Sequence, residues 1–130
     1  MSAADGNALK YVRLFADEDG ETHFEDVELP LTERAPGLGV LDMVTEAFPV
    51  KSAQLRRVTE NDEHGDSHCA PRRQLLMNLT GAVEIEVTDG SKRVLGPHEL
   101  TLAEDVEGKG HITRGVGELP RLQLVLVLAD

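Results

Sequence analysis

The chain has 130 residues, enough for one domain with a single sizeable core and too few for two. Its 24 acidic and 13 basic residues give a formal net charge of -11, which repels phosphate backbones and anionic bilayers, so neither nucleic acid nor a membrane is an expected partner. The N-terminal MSAADGNALKYVR lacks the apolar core of a signal peptide, and no apolar run nears the roughly 18 residues that cross a bilayer, so a cytoplasmic protein is expected. The lone cysteine, Cys69, has no intramolecular disulfide partner, in keeping with a reducing compartment.

Along the chain the hydrophobic pattern is mostly of period two, with turn residues at short intervals, and this predicts an all-β domain. YVRLF (11–15) and HFEDVEL (23–29) flank the acidic ADEDGE (16–21), which predicts a hairpin or a bent pair joined by a solvated loop. The stretch 30–50 breaks the rhythm. Val40, Met43, Val44, Ala47 and Phe48 stand at helical spacing before Pro49, predicting at most one short helix. As a lid it would bring Met43 or Phe48 to a pocket; the preferred reading is a connection that plugs one end of the core or packs on a partner subunit.

AQLRRVT (53–59) and RQLLMNL (73–79) give further strands, followed by VEIEV (83–87), where Val83, Ile85 and Val87 share an inner face and Glu84 and Glu86 a wet one. Asp89-Gly90 supplies the positive φ angles of a tight turn into KRVL (92–95), which Gly96-Pro97 ends. ELTLA (99–103), HITRGV (111–116) and RLQLVLVL (121–128) complete about nine strands, a number that suits a sandwich or barrel.

Polar residues recur in phase with this alternation. If Gln74 points inward, Leu76 and Asn78 share its face, and His111, Thr113 and Gly115 share a face of the strand 111–116. Imidazole, amide and hydroxyl would then converge on one pocket, where a histidine can serve as general acid or base for an isomerisation, cyclisation, elimination or hydrolysis. In the alternative, Gln74 and His111 satisfy each other within a filled interior. Arg72 and Arg73 either clamp a carboxylate ligand or pair with Glu84, Glu86 or Glu104. Cys69 beside His68 reads as a spectator thiol, because neighbours on a strand point apart. Gly108-Lys109-Gly110 lacks phosphate-loop spacing and reads as a turn.

The block 68–111 resembles the small single-domain cupins. Where their first motif has His, His, Glu and Gly, this chain has His68, Ala70, Gln74 and Gly81; their second motif is matched by Gly90, Pro97-His98-Glu99 and His111, with His98 in place of the usual Gly. The stretches Ala70 to Gln74 and Glu104 to His111 are also similar to a group of small bacterial cupins of uncharacterised role. The resemblance implies a cupin-type jelly-roll β-barrel spanning 1–130, with N-terminal strands in 1–29, an irregular arm or lid in 30–52 and the barrel core in 53–128. It also implies a barrel site of three imidazoles and a carboxylate for iron, manganese, nickel or zinc.

Here His68, Gln74 and His111 remain, so the expected cofactor is none or a weakly held divalent metal. His64 and Asp66 would complete a ligand set only if their loop, read as solvated, folded inward. The function implied is a cupin-like enzyme acting on a small organic molecule, of isomerase, cyclase, lyase or dioxygenase type, with His111 and His68 catalytic and Gln74, Arg72, Asn78 and Thr113 binding the ligand. The alternative is a noncatalytic small-molecule-binding or structural module. A homodimer is expected, paired through the N-terminal strands or the apolar run LQLVLVL (122–128).

Overall fold

A computed structural model describes residues 8–34, 42–60 and 65–129. The nine segments of alternating polarity are strands, and two short ones join them: β1 (Ala8–Ala16), β2 (Thr22–Pro30), β3 (Thr32–Arg34), β4 (Asp42–Val44), β5 (Val50–Val58), β6 (Gln74–Asn78), β7 (Ala82–Glu86), β8 (Lys92–Leu95), β9 (Leu100–Ala103), β10 (Ile112–Val116) and β11 (Arg121–Leu128). The protein is all-β. No helix occurs among the described residues, and so none is long and apolar enough to cross a membrane.

Six strands form one sheet in the order β2-β1-β9-β6-β11-β5, three form a second in the order β10-β7-β8, and β3 pairs with β4. All these pairings are antiparallel except β1 with β9, which is parallel and ties the N-terminal strand into the centre of the large sheet. The two main sheets are compatible with a jelly roll, yet they do not merge into one closed ladder among the described residues. Two isolated bridges lie outside the named ladders, His68 with His111 and Asn78 with Pro97.

The alternation in β7 shows how sequence sets the layers. Val83 and Ile85 are buried while Glu84 and Glu86 face outward, where Arg114 of β10 bonds Glu86 at 2.8 Å and Glu84 at 3.4 Å. Leu14, Val83, Ile85, Val87, Leu95 and Ala103 fill the space between the sheets, with Phe24 and Leu76 packed against them. A second cluster of Leu75, Leu102 and Leu128 lies on the opposite face of the large sheet. Glu104 joins three parts of the chain: it accepts from Arg13 Nε at 2.5 Å and Arg73 Nε at 2.6 Å. Burial alone would raise its carboxyl; the two guanidinium groups outweigh that and hold it below the usual glutamate value.

The segment 42–49 holds no helix, within the expected limit of one: Met43 and Val44 pair with Glu33 and Thr32 in β4 instead of completing a turn, and 45–49 are irregular; Val40 lies outside the described residues. Phe48 packs on the Leu75–Leu102–Leu128 cluster. One expectation needs correction. The run 122–128 is no edge: β11 lies between β6 and β5, so the edges of the large sheet are β2 and β5. β11 is therefore apolar because it is hydrogen-bonded on both sides within a covered sheet.

Candidate functional site

Beyond the apolar core, the two sheets separate on the side of β5, β11 and β10 and leave a cavity of about 470 Å³. Five strands build its walls by alternation. Gln74 and Leu76 come from β6, Ala103 from β9, Thr113 and Gly115 from β10, Arg121, Gln123 and Val125 from β11, and Gln54, Arg56 and Val58 from the edge strand β5. The loops add His68 and His111.

His111 is 6% exposed and sits at the start of β10 because its backbone exchanges both hydrogen bonds with His68, each 2.9 Å. This pairing needs Gly110. Its φ is +77°, and a Cβ there would lie 2.4 Å from the carbonyl carbon and oxygen of His68. Buried Thr22 fixes the same turn by donating its hydroxyl to the Gly110 carbonyl at 2.7 Å.

The Nδ1 of His111 bonds Oδ2 of Asp105, a carboxylate with no solvent exposure. With the carboxylate as acceptor, Nδ1 donates the hydrogen bond and Nε2 is left as the ring's acceptor. The other carboxylate oxygen, Oδ1, is buried without a protein hydrogen bond among the described residues. His68 is anchored in the same way, its Nδ1 donating to the Asp66 carbonyl at 3.1 Å, and its ring lies 4.9 Å from that of His111. Two imidazoles with tethered Nδ1 atoms thus border one polar space.

On the opposite wall, Arg121 is 7% exposed and bonds the carboxamide oxygen of buried Asn78 at 3.2 Å. Asn78 also accepts from Gln123 at 3.5 Å and donates to the Leu95 carbonyl at 3.3 Å. Gln123 in turn accepts from Arg56 at 3.1 Å. Burial, and secondarily the charge of Arg56, push the Arg121 guanidinium below the usual arginine value.

Of the residues singled out in the sequence, His68, Gln74, His111 and Thr113 all line this cavity. Asn78 lies behind the wall and braces Arg121. Arg72 is not brought to the cavity; it is exposed in the bend before β6, in a separate groove with Lys51 and Val106. Arg73 pairs with Glu104, and Cys69 turns its sulfur to the Gly108 carbonyl at 3.3 Å. Lys109 pairs with Glu21, as a turn residue does, and Asp17 of the acidic loop caps the backbone of Asp19 and Glu21. His64 lies outside the described residues.

Sequence reasoning missed Asp105, Arg121, Gln123 and Arg56. The phase of β11 carried a signal for two of them, since Arg121 and Gln123 fall on the face of Val125. For a metal ion, the cavity offers the imidazoles of His68 and His111, the carboxylate of exposed Glu60 and the neutral amides of Gln54, Gln74 and Gln123. Among the described residues no group of three His, Cys, Asp or Glu side chains is arranged to hold one. Asp105 is committed to Nδ1 of His111, and a neutral amide oxygen is a poor substitute for the missing charged ligand. The residues therefore do not fit a strong transition-metal site.

No protein-family model matches the chain, and no curated protein matches it.

Proposed function

We propose that this protein is a cupin-like enzyme that moves a proton on a small organic molecule bound in the cavity between its sheets. The observation that carries this reading is the buried His111–Asp105 pair at the cavity wall. A carboxylate behind Nδ1 orients the ring and stabilises the imidazolium once Nε2 has taken a proton, which is what a general base requires. His68, whose ring lies 4.9 Å from that of His111, gives a proton from Nε2 to another atom of the same substrate when it enters the cycle as the imidazolium, solvent resetting both rings between turnovers, and Gln74 and Thr113 supply the donors and acceptors that orient the substrate. This division of labour suits isomerisation or elimination, in which a proton leaves one atom and is delivered to another. The cupin likeness rests on His68, Gly81 and His111 at their motif places and on sheets compatible with a jelly roll.

The test is proton exchange in deuterium oxide, followed by NMR, on a panel of small carbon acids with the full chain. Wild-type protein exchanges at least one member, and His111→Gln loses about 10²-fold or more while unfolding at the same temperature. Exchange that is equal in the two proteins overturns the reading.

A noncatalytic dimer is the second reading, and the edge strand favours it. β5 has nine residues, is hydrogen-bonded on one side only among the described strands, and leaves Leu55 74% exposed. Pairing β5 with its copy about a two-fold axis satisfies both backbones and covers Leu55. Light scattering at micromolar concentration distinguishes a dimer from the 14.2 kDa chain.

A further inference from the structure

We infer that the cavity takes an organic anion whose carboxylate is held by Arg121 with help from Arg56. This deepens the small-molecule reading above and rests on it for the use of the cavity. Arg121 is more than nine-tenths buried, and among the described residues its Nε has no hydrogen-bond partner and its one acceptor is the neutral oxygen of Asn78.

That arrangement is unusual for the chain. Five other guanidinium groups find carboxylates: Arg13 and Arg73 hold Glu104, Arg34 holds Asp42, Arg93 holds Asp26, and Arg114 holds Glu86 and Glu84. In a protein with 24 acidic residues, a buried arginine with no carboxylate partner among the described residues is not explained by scarcity of partners. A buried cation without a counter-charge costs free energy that a structural role does not repay.

Its surroundings also work against stability and for binding. Arg56 lines the same cavity, and its like charge opposes that of Arg121. Asn78 and Gln123 link the two guanidinium groups by neutral amides, which orients them without neutralising them. Gly81, with φ +78°, leaves room for the Arg121 stem, since a Cβ there would stand 3.0 Å from its Cβ and Cγ. Glu60, which also lines the cavity, makes no ion pair with Arg121 among the described residues and is exposed at the end of β5. The missing negative charge is the ligand's. A planar carboxylate matches the fork of a guanidinium, and the glutamine and threonine side chains suit hydroxyl or carbonyl groups along the rest of a small organic acid.

The test is calorimetric and NMR titration of the full chain with acetate, lactate and malonate, against acetamide, lactamide and inorganic phosphate. Carboxylates bind, their amides bind at least tenfold more weakly, and the Arg121 Nε–H resonance shifts. Arg121→Met weakens binding at least tenfold and raises the unfolding temperature of the ligand-free protein, because a lone buried charge has gone. Arg56→Gln, at a surface position, weakens binding several-fold with the fold intact. Amides binding as well as acids, phosphate binding in preference to every carboxylate, or unchanged affinity in both arginine variants each overturns the inference. Destabilisation by Arg121→Met shows a structural arginine and overturns it too. His111→Gln keeps carboxylate binding, so loss of proton exchange with retained binding separates failure of the enzyme reading from failure of this one.

Discussion

His68 and His111 exchange both backbone hydrogen bonds and stand with their rings 4.9 Å apart, so two histidines 43 positions distant in the chain act as one structural unit. The unit depends on a residue with no side chain. Gly110→Ala adds a Cβ 2.4 Å from the His68 carbonyl at a φ of +77°, and it should cost about 2 kcal/mol or more in urea unfolding. A loss below about 0.5 kcal/mol would contradict this packing.

A residue at another motif position has the opposite expectation. His98 adopts φ 71° without being glycine, and its side chain is exposed. The left-handed conformation costs an L-residue roughly 1–2 kcal/mol, whereas glycine gives back roughly 0.5–1 kcal/mol in unfolded-chain entropy. The first effect wins, and His98→Gly should stabilise by roughly 0.5 kcal/mol in the same unfolding measurement. A destabilised variant would show that the imidazole contributes a contact worth more than the strain.

The pH dependence of stability should carry the mark of His23. Its Nε2 bonds Asp17 at 2.6 Å and its Nδ1 bonds Asp89 at 2.8 Å. Asp17 first and Asp89 second raise the imidazole above its ordinary value of 6.5. Asp17 is held below its ordinary value of 3.8 chiefly by His23, and Asp89 chiefly by Ser91, with His23 adding to it. The raised group stabilises fully below 6.5 and stops doing so as pH rises through its folded value; the lowered carboxylates stabilise above 3.8 and stop as pH falls through theirs. The triad therefore contributes most between about pH 4 and 6.5. The unfolding temperature of wild type minus that of His23→Gln should be positive near pH 5.5 and shrink by about pH 9. A difference that is flat with pH would mean the triad does not hold in solution.

The parts of this molecule that obey a period of two could be read from the residues. Val83 and Ile85 against Glu84 and Glu86 fixed the inner face of β7, and the phases Gln74–Leu76 and His111–Thr113–Gly115 placed three candidates, Gln74, His111 and Thr113, in one cavity. β3 and β4 escaped because three residues each are too few to show alternation, and 40–48 happened to match a helical period. Arg121 was hidden by its company, a polar residue opening a strand of leucines and valines that read as an edge. Asp105 was hidden by the reverse: among Glu104 and Glu107 one more acid reads as solvated, and only the bond to His111 sets it apart.

His111 acting as base requires its Nε2 to be bare, with Asp105 holding the proton on Nδ1. Imidazole ¹⁵N NMR of the full chain, at a pH where the ring is neutral, reads this directly. The wild-type protein should show His111 as the Nδ1–H tautomer, and Asp105→Leu should mix or reverse it. An Nε2–H ring in the wild type would leave no acceptor facing the cavity and would contradict the proposed proton transfer.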